Sequence, residues 1–411
     1  MKIVFVHRRG AAQFRHLARH LAERGAEVTV ICEQRDAPVA GVRFIVHPPA
    51  TERTGAIPRH LAVADECAQH ANLVAETLER MRHAEGAPDL VVGHIGWGGM
   101  LFVKDVLPRT PALAYCEYYF QPKGGDIGFD PRTPVSIAEL SRARLRNMVQ
   151  RATLDGIEGG ISPTVWQRSR YPAAIRPRIA VCHEGVDVNL CRPDAAARFR
   201  LPNGRFLSPG DPVVTYVARD LEPYRGFPQF MRAAARIAAR REDALFVVAG
   251  NDGISYGRAH ISGRSWRAVM MEETAIDPSR IFFLGAIDHA SLIRLFQVSA
   301  AHVYLTVPFV LSWSLLEAMA CGCNVVGSDT APVKEVIGDG HNGALADFWD
   351  ADAIAAQVMD GLARPEAMRP RRLAARATIE QRYRRGDCLA RQVDILGRTI
   401  MGEISAGAGG Q

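Results

Sequence analysis

The chain has 411 residues, more than a single hydrophobic core usually serves, with 48% hydrophobic and 23% charged residues, so two folded domains are expected and a disordered or fibrous chain is excluded. Its net charge of +6 suits an anionic ligand or the acidic inner face of a membrane, yet the basic residues are scattered and form no nucleic-acid-binding module, so no nucleic-acid partner is expected. The 8 cysteines include no C-x-x-C pair, only Cys321-x-Cys323, and no apolar run reaches the roughly 18 to 20 residues of a membrane span, which argues against a zinc site and a spanning helix and for a cytoplasmic protein with reduced thiols.

Met1 runs straight into a strand, KIVFVH at 2–7, with no leader pattern. A helical pattern follows through Phe14, Leu17 and Leu21 and ends at Arg24-Gly25; Glu27–Cys32 reads as a second strand. Strand, helix and strand in that order predict a parallel sheet with crossover helices. Leu90–Val92 and Ala112–Tyr115 follow as strands, and Thr153–Ser162 closes this half. A second series opens near Asp211: strands at Val213–Val217, Ala244–Ala249, Ile281–Leu284, His302–Leu305 and Asn324–Gly327, with helices at Gly226–Ala239, His289–Val298 and Ser314–Cys321. The fold class expected is α/β, two Rossmann-like doubly wound domains facing a central cleft. The expected boundaries are 1–192 and 205–373. A linker covers Arg192–Pro212, helices at about 374–400 return to the first domain, and 405–411 is a flexible tail.

A dinucleotide-binding domain would place G-x-G-x-x-G directly after its first strand. Here that loop is His7-Arg8-Arg9-Gly10-Ala11-Ala12-Gln13, with Gly10 alone, and the second half continues Ala218-Arg219-Asp220. Hydride transfer is therefore disfavoured, and no P-loop occurs.

Four segments stand out in the second half: VARDLEPYRGF (217–227), LFVVAGNDG (245–253), IFFLGAIDH (281–289) and SWSLLEAMACGCNVVGSDTAPVKEVIGDGHNG (312–343). The first half adds PDLVVGHIGWGG (88–99) and CHEGVD (182–187). Together they resemble glycosyltransferase family 4, the retaining enzymes of the GT-B fold, over almost the whole chain. The resemblance implies transfer of a sugar from a nucleoside-diphosphate sugar to a glycan, lipid-linked or small-molecule acceptor. The sugar nucleotide would be a co-substrate and no cofactor is implied. A metal-free reaction is expected, since no Asp-x-Asp motif follows a strand. The sequence leaves open another reaction on a sugar nucleotide, such as epimerisation, and a weakly active binding subunit.

The resemblance also assigns roles. Breaking a sugar–phosphate bond leaves growing negative charge, which needs cations or oriented N–H groups. Arg219 and Arg225 match the family's basic pair, with an arginine where lysine is usual. Ser312, Trp313 and Ser314 precede a helix whose N-terminus forms an anion site. Glu317 matches the second glutamate of the Glu-x7-Glu motif, which binds ribose; Ser314-x-x-Glu317 is also a capping box. The first glutamate is replaced by Phe309. Gly250, Asn251 and Leu284 are expected at the nucleotide pocket, and Glu335 matches a glutamate beyond it.

In the first half, Glu117 stands where the family often has histidine, and is expected to orient an acceptor or act as a base; an ordinary ion pair is the alternative. His94 is the other catalytic candidate, or else it fixes its loop. Gly10 lies in the loop after the first strand. Trp97, Tyr118 and Tyr119 are acceptor-side candidates, beside a loop at Lys123–Asp126.

Overall fold

The computed structural model describes residues 1–49, 57–58 and 61–403; the proposed tail, 405–411, lies outside the described residues. The chain divides into two compact units, Met1–Gly185 with Arg385–Gln411, and Val186–Arg384.

The first unit is built on a seven-stranded sheet: β1 (Lys2–Val6), β2 (Glu27–Cys32), β3 (Val42–Val46), β4 (Leu90–His94), β5 (Ala112–Tyr115), β6 (Gly159–Ser162) and β7 (Ile179–Val181). All pairings are parallel, in the order β3-β2-β1-β4-β5-β6-β7. The apolar run of β1 is divided by the two-residue strand period: Ile3 and Phe5 join one core, Val4 and Val6 the other. On the first face pack Leu17 and Leu21 of helix Arg15–Ala22 and Leu389, Ile395 and Leu396 of helix Arg385–Ile400. On the second pack Val74 and Leu78 of helix Ala62–Glu85 and Leu154 of helix Ile137–Gly156.

The second unit carries a short antiparallel pair, β8 (Phe199–Arg200) with β9 (Phe206–Leu207), and a six-stranded parallel sheet. Its strands are β10 (Val213–Asp220), β11 (Leu245–Asn251), β12 (Ile281–Phe283), β13 (Ala301–Tyr304), β14 (Val325–Ser328) and β15 (Ala344–Ala346), in the order β12-β11-β10-β13-β14-β15. In both sheets the strand order reverses beside the first strand of the series, at β1/β4 and β10/β13. In open α/β sheets a ligand crevice forms at that point, outside the carboxyl ends of the strands.

Three boundaries differ from the sequence reading. The first unit ends at Gly185 rather than 192, because Val186, Val188 and Cys191 belong to the core of the second. The stretch read as a linker, 192–212, is folded into β8 and β9, with Ala197, Phe199, Leu201 and Leu207 buried. The return to the first unit starts at Arg385 rather than at 374. Helix Arg369–Arg382 stays with the second unit, since Ala375 and Ile379 pack into its core and Arg376 Nη1 donates to the carbonyls of Cys191 (3.1 Å) and Ala320 (2.8 Å). Among the described residues no helix is long and apolar enough to cross a membrane.

Candidate functional site

In the second unit, β10 ends in Ala218-Arg219-Asp220 and turns through a short helix at Pro223–Arg225. Arg219 is exposed, whereas Arg225 is buried, at 8%. Arg225 Nη1 donates to Thr306 Oγ1 (2.8 Å) and to the Val310 carbonyl (3.0 Å), in the segment that follows β13. A guanidinium taken out of water needs such partners, and aromatic faces add to them: its Cζ lies 5.5 Å from the Tyr256 ring centre and 5.8 Å from that of Phe309. Arg219 lies 5.8 Å from the same Tyr256 ring. The basic pair therefore shares one aromatic partner.

The segment after β13 leads into helix Trp313–Ala320. Its N-cap is Ser312, whose hydroxyl oxygen accepts from Ser314 N (3.3 Å) and Ser314 Oγ (2.9 Å); Ser312 N donates to Tyr304 Oη (2.8 Å). The capping box proposed for Ser314 and Glu317 is not formed. The N-cap falls two residues earlier, and Glu317, buried one turn in, pairs instead with His289 Nε2 at 2.7 Å. His289 opens the helix His289–Gln297, which Asp288 caps. Sequence reading missed it, although the IDH triplet placed it at a helix start after a strand. Trp313 is half-exposed, at 39%.

Gly250 and Asn251 end β11 and Leu284 follows β12. Gly250 has φ +153, and a Cβ there would meet the Ala218 carbonyl at 2.6 Å. The glycine is thus needed for β11 to close on β10. Gly250 N donates to the Gly285 carbonyl (2.9 Å) and Leu284 N to that of Val248 (2.9 Å), so these two backbone donors serve the sheet edge. Asn251 is exposed. Glu335 ends the short helix Ala331–Lys334, and its carbonyl accepts from Arg382 (3.2 Å).

In the first unit, the ends of β1, β4 and β5 bring His7, His94 and Glu117 together. Glu117 Oε2 accepts from His94 Nε2 (3.2 Å), Glu117 Oε1 from Gln13 Nε2 (2.9 Å), and the Glu117 carbonyl from Gln167 (2.7 Å). Gly96 N donates to His94 Nδ1 (3.1 Å), which leaves the ring proton on Nε2, facing the carboxylate. His94 thus fixes its own loop and orients Glu117 at once. Burial acts to raise the Glu117 carboxyl, but the His94 and Gln13 hydrogen bonds outweigh it and hold the group below its ordinary value. Glu117 is a fixed carboxylate whose side chain keeps 28% of its surface exposed. His7 lies beside this pair, its ring 5.3 Å from that of His94. Burial and the neighbouring His94 lower it to about 3, so it is neutral at ordinary pH.

Gly10 has φ +54, and a Cβ there would collide with the Asp36 side chain. Trp97 is exposed at 37%, its ring 5.9 Å from that of His94 and under the guanidinium of Arg8. Tyr118 and Tyr119 do not offer the open aromatic wall expected of them. Both are buried: Tyr118 Oη donates to Asp126 (2.7 Å), tying down the Lys123–Asp126 loop, and Tyr119 packs on Tyr171 in the core. Gln13, invisible as a site residue in sequence, reaches Glu117 from 104 positions away.

Each unit is similar to known proteins. Residues 24–191 match the family described as Glycosyl transferase family 4 group, and residues 200–378 match Glycosyl transferases group 1. A GDP-mannose-dependent alpha-(1-6)-phosphatidylinositol monomannoside mannosyltransferase of Mycolicibacterium smegmatis is 29% identical over 219 residues, 49% of this chain and 52% of that protein. A D-inositol 3-phosphate glycosyltransferase of Rhodococcus jostii is 29% identical over 225 residues, 53% of this chain and 46% of its own length. The chain spans about half the length of the curated relatives it matches. Among solved structures, sucrose-phosphate synthase of Thermosynechococcus elongatus superposes with a TM-score of 0.74, covering 98% of this chain and 99% of that one at 18% identity. HepE of Anabaena, solved with UDP, gives 0.70 over 97% and 100% at 15% identity. With the two family matches running in succession from 24 to 378, and both parallel sheets in place, the chain is similar to family 4 glycosyltransferases in both units and has the GT-B fold.

Proposed function

We propose that the protein transfers a hexose, with retention, from a nucleoside-diphosphate sugar to a carbohydrate or lipid-linked acceptor. The observation that carries this reading is the convergence of Arg219, Arg225 and the Ser312-capped helix N-terminus at the carboxyl edge of one sheet. Two cations and the positive end of a helix favour a diphosphate, and favour it more as its charge grows during bond breaking. These groups could supply that stabilisation with no resident metal. Glu317, held by His289 one turn into the same helix, would receive ribose hydroxyls.

In the proposed reaction the bond between the anomeric carbon and the phosphate oxygen breaks and its electron pair leaves with the diphosphate. The acceptor hydroxyl forms the new bond on the same face of the sugar, and its proton passes to the departing phosphate oxygen. Glu117, as a fixed anion, would orient the acceptor or steady positive charge on the sugar. The mannosyltransferases among the relatives make GDP-mannose the first donor to try, and the UDP-bound neighbour makes UDP-glucose the second.

Phe309, in place of the motif's first glutamate, favours one other reading, a subunit that binds the sugar nucleotide with little turnover. Slow hydrolysis of a labelled donor in a chelator-containing buffer separates the two. A transferase leaks sugar to water and releases the diphosphate; a protein that binds GDP-mannose or UDP-glucose yet hydrolyses neither is the binding subunit.

A further inference from the structure

Several features of the second unit converge on one side chain that the diphosphate reading leaves unused. Glu222 is fully buried. Its carboxylate accepts three successive backbone N–H bonds from Ser255 (3.2 Å), Tyr256 (3.1 Å) and Gly257 (2.8 Å). Burial raises its pKa and these bonds pull it part of the way back. Asp220 binds the Ser255 hydroxyl. The loop can lie this close only because it is flanked by glycines. A Cβ at Gly253 would stand 2.7 Å from Asp220 Oδ1, and one at Gly257 would stand 3.1 Å from Glu222 Oε2. Two carboxylates at the end of β10 thus latch the loop after β11.

The latch holds Tyr256. Its ring lies beside the guanidinium groups of both Arg219 and Arg225, and its centre is 5.2 Å from that of Phe309. Phe309 is buried behind it, whereas Tyr256 keeps 40% of its surface exposed. An aromatic ring fixed against both cations, with one part still open to solvent, is an expensive arrangement for a surface loop unless something rests on it.

We infer that Tyr256, backed by Phe309, is the platform for the donor's sugar ring, which is recognised there through its apolar C–H face. This rests on the reading that Arg219 and Arg225 take the diphosphate. The sugar is bonded directly to the distal phosphate, so a ring touching both arginines is within its reach. Phe309 fills the position behind the platform with hydrocarbon, so no carboxylate there can bind a sugar hydroxyl. The class of donor that fits is therefore one whose sugar tolerates loss of a hydroxyl on the platform side. A site built to hydrogen-bond a hydroxyl rejects the analogue lacking it by about 10⁴-fold or more, whereas an apolar surface discriminates far less.

The test is calorimetric titration with GDP, GDP-mannose, UDP and UDP-glucose, using the intact chain and the variants Tyr256→Phe and Tyr256→Leu. With whichever base binds, Tyr256→Leu should weaken the sugar nucleotide about three- to tenfold more than it weakens the free diphosphate, the scale of an aromatic contact to the sugar. Tyr256→Phe should match the original protein in both. GDP-mannose and its 6-deoxy counterpart, compared on the unaltered protein, should bind within about tenfold of each other, a comparison that needs no variant to fold. Equal losses for diphosphate and sugar nucleotide, no loss at all, or strong rejection of the 6-deoxy sugar overturns the platform while leaving the diphosphate reading intact. An unaltered protein that binds neither GDP nor UDP overturns the diphosphate reading and the platform with it.

Discussion

The two units carry candidate sites of opposite chemistry. The crevice of the first gathers a neutral histidine at His7, the ring of His94 and a carboxylate held ionised at Glu117. The edge of the second gathers two guanidinium groups and a helix N-terminus. The same sheet topology underlies both, so the difference comes from three or four side chains at the strand ends. The first site is anchored by side chains binding side chains: Gln13 and His94 to Glu117. The second is anchored to the backbone as well as to side chains: Arg225 to the Val310 carbonyl and Thr306 Oγ1, Ser312 to Ser314 N and Oγ. A site held through backbone can spare its charges for a ligand, whereas Glu117 has already committed both oxygens and acts through its charge and position.

The largest expected effect lies in the first unit. Glu117→Gln should cut turnover about 10²-fold or more, the usual scale for a positioned acid–base or charged group, with nucleotide affinity little changed. His94→Ala should cost less turnover, since Gln13 still holds the carboxylate. If the order is reversed in steady-state assays, the catalytic role moves to His94. Equal losses of nucleotide affinity in both would erase the distinction between the two sites.

The arginines come next. Charge-assisted hydrogen bonds are worth about 1.5–3 kcal/mol, so alanine at either position should weaken nucleoside diphosphate binding at least about tenfold. Their stabilities should differ: Arg219→Ala, on the exposed member, should leave the melting temperature of the empty protein nearly unchanged. Arg225→Ala removes two hydrogen bonds and two aromatic contacts and should lower it measurably.

Glu317→Gln should then reduce affinity for ribonucleotides more than for 2′-deoxynucleotides. Loss of stability with equal effects on both ligands would leave Glu317 a purely structural partner of His289.

The smallest effect separates the units by pH. His7 and His70 in the first unit, and His302 in the second, are lowered by burial from 6.5 to about 3. Between those values the unfolded chain binds protons that the folded one does not, so each group's contribution is present above the unfolded value and lost as pH falls. Among the described residues the first unit carries two such groups and the second one. Hydrogen exchange at pH 7 and at about pH 4.5 should show the first losing protection more steeply. Glu117 adds to this only at lower pH, because its own contribution is lost only as pH falls through its lowered value. A steeper loss in the second unit would show that the buried histidines do not control acid stability.

How legible this was depended on the kind of signal. β1, β2, β10 and β11 are buried apolar runs and could be read directly. β3 was missed because VRFIV is broken by the charge of Arg43 and has no fully buried residue, and β15 because three residues, ALA, carry no pattern. The Ala-rich helix Ala62–Glu85 hides its buried face among polar residues. At the sites, Arg219, Arg225 and Glu317 could be located because their spacing lies within a continuous motif. Gln13, His289 and Tyr256 could not, because each acquires its role only through a partner far along the chain. Tyr118 and Tyr119 misled for the complementary reason: an aromatic run after a strand reads alike whether it faces a ligand or the core.

The central claim is that the second unit holds a diphosphate through its arginine pair, and titration of GDP and UDP into the original protein and Arg219→Ala tests it most directly. One of the two nucleotides should bind the original protein, tighter than its nucleoside monophosphate, and the affinity should fall about tenfold or more in the variant with melting unchanged. Diphosphate and monophosphate binding alike, or Arg219→Ala binding as tightly as the original, would contradict the account.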